Sequence, residues 1–195
     1  MVINISICFV AYVLGSIPFG VLFARTQNIN LREHGSKNIG ATNAARILGK
    51  KVGVLTLIGD IFKGWLAFAI ASWALNDQVV IAVAGLMAFL GHLFSIFLKF
   101  KGGKGVAIGL GIHLYIMPIA TVMAIGVFAC TLWVSRYVSL SSIFAAIVLP
   151  MFGILMKTQL PYIYMSLGIA ILVLIKHNEN IQRIIAGEEP YFLKN

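Results

Sequence analysis

The chain has 195 residues, 60% of them hydrophobic and only 11% charged, with a mean hydropathy of +0.96. A soluble domain carries about 25% charged residues, so this composition excludes one and indicates an integral membrane protein. The net charge of +9 lies in short clusters between apolar runs, not in a continuous stripe with stacking aromatics, which argues against nucleic acid and for anionic lipid headgroups or a phosphorylated substrate. Cys8 and Cys130 sit far apart inside apolar runs without ligand spacing, so neither a disulfide framework, a metal site nor a cofactor is expected.

In chain order, apolar runs fall at about 2–24, 52–75, 79–98, 105–135, 139–156 and 160–175, each near or above the roughly 17–25 residues a helix needs to cross a bilayer. The first run lacks a basic leader and a clear cleavage site and continues through Pro18, so it is expected to be retained as the first span. The fourth run, 31 residues long with Pro118 near its middle, is too long for one ordinary span. A break near Tyr115 to Pro118 gives seven spans. It puts 13 of the 15 basic residues on one face: those from Arg25 to Lys51 and from Lys99 to Lys104, with Arg136, Lys176, Arg183 and Lys194. By the positive-inside rule that face is cytoplasmic. The expected fold is therefore all-α, a polytopic transmembrane helix bundle with the N-terminus outside and the C-terminus cytoplasmic. A short or re-entrant helix near 104–115 is expected within it, about 18 Å long at 1.5 Å per residue. No internal repeat, low-complexity stretch or long linker interrupts the chain, so one domain over 1–195 is expected.

Four polar segments then fall on one face. In residues 25–51, Ser36 or Asn38 can cap a helix that starts after Gly40, with Thr42 in its first turn and Asn43 and Arg46 three apart. This is either a capped surface helix or a phosphate cradle at a helix N-terminus. In KFKGGKGVAIG, residues 99–109, Gly102, Gly103 and Gly105 can turn backbone N–H groups toward one point, with Lys104 opening the next helix. The alternatives are an anion nest or a tight interfacial turn. The spacing is not that of a nucleotide-binding loop, because Gly105 stands where the hydroxyl residue would be. In 135–142, Arg136, Ser139, Ser141 and Ser142 open a span as caps or as part of a site. In 176–192, a last span continuing as helix would put His177 and Asn180 on one face and pair Glu179 with Arg183 on another. His177 is there a candidate general base or a structural histidine. Inside the membrane, Asp60 and Lys63 lie one turn apart and can neutralise each other, and His92 and His113 are expected to be satisfied by backbone or hydroxyl groups. None of the four histidines has an aspartate five positions on, so the His-x-x-x-x-Asp acyltransferase signature is absent.

GSKNIGATNAAR (35–46), GHLFSIFLKFKGGKGVA (91–107) and HNENIQRIIAGEE (177–189), together with GSIPFG (15–20), resemble the PlsY family of bacterial acyl-phosphate:glycerol-3-phosphate acyltransferases nearly end to end. Three positions depart from the family pattern: Lys37 where glycine is commoner, Ser95 where proline is, and Ile108 where threonine is. The resemblance implies transfer of a fatty acyl group from acyl phosphate to glycerol-3-phosphate, giving lysophosphatidic acid and phosphate, at the cytoplasmic face of the bacterial inner membrane. Acyl phosphate, glycerol-3-phosphate and membrane lipid would be the partners, with no nucleic acid, and the oligomeric state stays open. Under that reading, Gly102, Gly103, Lys104 and Gly105 hold one phosphate and Ser36, Asn38, Thr42, Asn43 and Arg46 another. Ser142, His177 and Asn180 then orient the reacting groups. The competing class is an organic-phosphate transporter or flippase, which would be expected to carry internal repeats and a midplane site.

Overall fold

The computed structural model describes residues 1–192, which are helical with no strand among them. Lys194, counted above on the basic face, lies outside the described residues. The chain divides into two compact units, Met1–Tyr115 and Ile116–Asn195.

The first unit opens with α1 (Val2–Ser16) and α2 (Phe19–Arg25), which meet at a bend of 41° through Ile17 and Pro18. The run expected to form the first span is thus bent at Pro18, because proline has no N–H to continue the ladder. The carbonyls released there are recovered by side chains: Ser95 Oγ donates to Ser16 O at 2.6 Å and Lys63 Nζ to Ile17 O at 2.5 Å. α3 (Ala41–Leu48), α4 (Lys50–Ala74), α5 (Gln78–Leu93) and α6 (Val106–Ile116) complete the unit. Asp77 starts α5 by accepting from Val79 N at 2.8 Å. α1 lies directly on α5, and the seam is made by small residues. A Cβ on Gly15 would stand 1.9 Å from Ala88 O, and one on Gly91 would stand 2.2 Å from Tyr12 O. Helices in lipid gain little from burying apolar surface, so backbone approach of this kind carries the packing.

The second unit holds α7 (Pro118–Ser135), α8 (Val138–Leu155), α9 (Leu160–Lys176) and α10 (Asn178–Ile185). The long fourth run breaks at Met117, and Pro118 takes the first turn of α7, where its missing N–H costs nothing. That break falls where the sequence puts it. α6, with 11 residues, is about 17 Å long. Among the described residues, four helices are long and apolar enough to cross a membrane, or six if the bent pairs α1 with α2 and α9 with α10 each count as one span. Trp73 and Trp133, 82% and 87% exposed near the ends of α4 and α7, are suited to the headgroup level.

Lys37, one of the three departures, adopts φ +57°. This left-handed conformation costs a side-chain-bearing residue about 1–2 kcal/mol and glycine nothing. Lys37→Gly is therefore expected to stabilise the protein by about 1 kcal/mol, less glycine's larger entropy loss, a gain of roughly 2–4 °C in Tm. A thermal melt in detergent measures it.

Candidate active site

In the first unit, residues 26–40 wrap around one side chain. Asn43 is 1% exposed; its Oδ1 accepts from Ser36 N at 3.0 Å, and its Nδ2 donates to the carbonyls of Leu31, His34 and Asn38 at 3.2, 3.1 and 2.8 Å. Beneath it Leu31, Ala24 and Ala44 form a small buried core with Ile47, Leu48 and Val52 against it. Asn43 thus organises the loop from inside and does not share a face with Arg46, contrary to the sequence reading. Thr42 and Arg46 are the exposed pair, because four residues advance a helix by about 400° whereas three fall short of a full turn. The helix cap also differs: Gly40, extended at ψ 169°, precedes Ala41, and neither Ser36 nor Asn38 holds the cap position. Both are half-buried in the loop that leads to it.

The glycine segment is fastened to the end of α5. Gly102 N donates to Leu93 O and Gly103 N to His92 O, each at 3.0 Å. The nest expected of these two residues is therefore not formed, because their N–H groups already satisfy the last carbonyls of α5. α6 begins at Val106 rather than at Lys104, after Gly105 turns the chain at φ +85°. The N–H groups of that first turn open toward the segment bearing Lys104. The Arg32 guanidinium donates to Lys101 O and so ties the first loop to this segment. Arg32 is a residue the sequence reading counted only as charge. Immediately upstream, Lys99 and Phe100 both take left-handed backbone, at φ +52° and +60°. Two consecutive side-chain-bearing residues in that region are strained, a feature that clusters at functional sites.

Below the segment, Lys63 Nζ lies 2.7 Å from Asp60 Oδ1 and 3.0 Å from His92 Nδ1. The expected Asp60–Lys63 pair forms, but His92 is held by a lysine and not by backbone or hydroxyl. His113 does bond backbone, with Nδ1 2.7 Å from Gly109 O.

In the second unit, α9 does not run on into α10; the two bend by 52° at His177. His177 is 3% exposed and its Nδ1 lies 2.8 Å from Val173 O. A carbonyl only accepts, so Nδ1 carries a proton, and in the neutral ring the lone pair is then on Nε2. Ser142 Oγ donates to Val138 O of its own helix at 2.8 Å. The serine that reaches out of α8 is Ser139, which donates to Glu189 Oε1 at 2.7 Å. Asn180 Nδ2 donates to the same oxygen at 2.6 Å, and Arg183 Nε to Oε2 at 2.8 Å. Glu189 is 8% exposed, and although burial raises the pKa of its carboxyl, the hydrogen bonds from Ser139, Asn180 and Arg183 and the arginine charge outweigh that and hold it below the ordinary glutamate range. The expected Glu179–Arg183 pair is present only at 4.0 Å on a glutamate that is 82% exposed. Behind Glu189 the chain returns to the turn between α7 and α8, where Phe192 N donates to Arg136 O at 2.9 Å and Tyr191 stacks on Tyr137 with centroids 5.0 Å apart. Glu189 and Ser139 were missed as partners because 50 residues separate them; the only signal was that three of the chain's six acidic residues, Glu179, Glu188 and Glu189, gather in this one segment.

Taken singly, the units offer complementary chemistry. The first presents exposed cations, hydroxyls and helix-start amides with few carboxylates, which suits a phosphate. The second presents a buried histidine of defined tautomer and an amide braced by a carboxylate, which suits orienting a hydroxyl and accepting its proton.

Known proteins share this architecture. Residues 5–187 match the family described as glycerol-3-phosphate acyltransferase. A glycerol-3-phosphate acyltransferase of Geotalea daltonii is 47% identical over 182 residues, covering 93% of this chain and 94% of that one. A crystal structure of PlsY, an integral membrane glycerol 3-phosphate acyltransferase in its glycerol 3-phosphate form, superposes with a TM-score of 0.93 at 38% identity, covering 97% of this chain and 96% of that one. Its lysophosphatidic acid form gives 0.89 at 36% identity, with 96% and 94% covered. With the family model matched over residues 5–187 and a relative 47% identical along 93% of the chain, the chain belongs to the glycerol-3-phosphate acyltransferase family.

Proposed function

We propose that this protein transfers a fatty acyl group from acyl phosphate to the 1-hydroxyl of sn-glycerol-3-phosphate, releasing phosphate and forming lysophosphatidic acid, the first step of phospholipid synthesis. The observation that carries this reading is the match, along 97% of the chain, to a PlsY structure in its glycerol 3-phosphate form. The reaction takes place at the cytoplasmic face of the bacterial inner membrane. The chain crosses that membrane seven times, with the N-terminus outside and α1 with α2 as one bent span, and its whole length acts as one enzyme domain.

Transfer is direct. The glycerol oxygen forms a bond to the acyl carbonyl carbon while the carbon–oxygen bond to phosphate breaks, and phosphate leaves with its electron pair. The hydroxyl proton passes to His177 Nε2 or to a phosphate oxygen of the substrate. No covalent acyl-enzyme forms, so positioning and charge stabilisation supply most of the rate. Lys104 and the helix-start amides beyond Gly105 grip one phosphate, with Gly102 and Gly103 holding that segment in place. Ser36, Asn38, Thr42 and Arg46 grip the other, with Asn43 shaping their loop. Asn180 orients the hydroxyl, and Ser142 supports the start of α8.

Purified protein given acyl phosphate and glycerol-3-phosphate is expected to release phosphate and lysophosphatidate in equal amounts; absence of product defeats the reading. Arg46→Ala or Lys104→Ala, each removing one charge-assisted contact, is expected to raise the KM of a substrate roughly 10- to 100-fold, and unchanged KM for both substrates rejects the phosphate assignments. His177→Ala is expected to lower kcat at least about 100-fold if the histidine is the base. Near-normal turnover at saturating substrate would hand that role to the substrate phosphate.

A further inference from the structure

The cluster beneath the glycine segment defines a protonation pattern. Lys63 has three protons to place, and three acceptors surround its Nζ: Asp60 Oδ1 at 2.7 Å, Ile17 O at 2.5 Å and His92 Nδ1 at 3.0 Å. As an ammonium paired with Asp60 and bonded to Ile17 O, Lys63 has its third proton to give to Nδ1. A histidine that accepts at Nδ1 carries its own proton on Nε2. His92 is only 5% exposed, and among the described residues no hydrogen-bond partner meets Nε2.

The direction of that donor is also defined. A Cβ added to Gly103 would stand 2.4 Å from His92 Nε2, so the imidazole edge occupies the space a side chain would take in the segment leading to Lys104. Gly103 N is bonded to His92 O at 3.0 Å, which keeps ring and segment in register.

We infer that His92 Nε2–H is a further ligand of the reaction, a neutral donor beneath Gly103 that hydrogen-bonds a phosphate oxygen of the substrate held by the Lys104 segment. Lys63 and Asp60 are positioning residues that lock the donating tautomer. The inference rests on the acyltransferase reading above for the identity of the substrate. A neutral donor at this depth binds phosphate without adding a third charge to the Asp60–Lys63 pair.

Two substitutions separate this role from mere packing. Gln at 92 keeps an N–H near the Nε2 position, whereas Asn keeps only an acceptor for Lys63. H92Q is expected to stay within about three-fold of the wild-type KM values, while H92N, eluting as a folded species with a near-native Tm, is expected to raise KM for one substrate about ten-fold, the loss of one hydrogen bond to a charged acceptor. The substrate affected identifies which phosphate is bound. A folded H92N with wild-type KM for both substrates overturns the proposal. A measurement on the unsubstituted protein does not depend on either variant folding: with 15N-labelled histidine, the His92 signals are expected to show Nδ1 unprotonated, Nε2 protonated, and an Nε2–H shift on adding inorganic phosphate. A proton on Nδ1, or no shift with saturating phosphate, overturns it. Failure of the wild type to form lysophosphatidate rejects the acyltransferase reading, and the phosphate titration still decides the role of His92.

Discussion

Gly102→Ala is expected to lower acyl transfer by roughly 100-fold or more, the scale of loss that follows when a reacting group is misplaced by about 1 Å. The added Cβ would stand 1.9 Å from His92 O, 2.7 Å from Leu93 O and 2.8 Å from Leu93 C. All three are backbone atoms of the last turn of α5, so no side chain can rotate away, and the segment must leave its seat and lose the Gly102 and Gly103 bonds together. Overpacking of this kind costs about 1–3 kcal/mol or more. Gly126→Ala is the control, because nothing lies within 4 Å of its would-be Cβ and its helix should gain slightly. Steady-state kinetics and melting curves on both variants check the contrast. Wild-type turnover in Gly102→Ala would show that the seat on α5 does not position Lys104.

Glu189→Ala is expected to be the most damaging change in the second unit. It removes the acceptor for Ser139, Asn180 and Arg183 at once. Ser139 and Asn180 are 7% and 6% exposed, whereas Arg183, 30% exposed as a side chain, can turn to water. Losing the acceptor they share costs about 1–3 kcal/mol, which in a chain of this size lowers Tm by roughly 2–12 °C. Asn180 loses its brace, so turnover should fall with stability. The pH dependence has a definite sign. The folded carboxyl titrates below the ordinary glutamate value, because its hydrogen bonds and Arg183 outweigh burial. Its stabilisation is therefore fully present above the ordinary value of 4.5 and is lost as pH falls through the lowered folded value. Glu189→Gln should flatten the dependence of Tm on pH below about 4.5, and an unchanged slope would mean the carboxylate is not ionised in the fold.

The sequence by itself determined what depends on composition and near neighbours. The apolar runs mark where helices lie, because lipid admits a backbone only if its polar groups are satisfied within the segment. The break before Pro118 and the Asp60–Lys63 pair are likewise readable, since one turn of helix sets both. The motifs at 35–46, 91–107 and 177–189 are specific enough to identify the family.

Only the tertiary structure decided how the polar groups are spent. Glycines 102 and 103 have the capacity to point N–H groups at an anion, but the end of α5 takes those donors. Asn43 looks like a ligand in the sequence and is consumed inside its own loop, while Arg32 and Ser139 look like bystanders and make long-range ties. His92 gains its tautomer from a lysine 29 residues away, and Asn180 is braced by a glutamate beyond the end of its own helix. A sequence states how many donors and acceptors each residue carries. Which of them remain for a substrate is decided by the partners folding brings within about 3 Å, some in the same loop or helix and some far away in sequence.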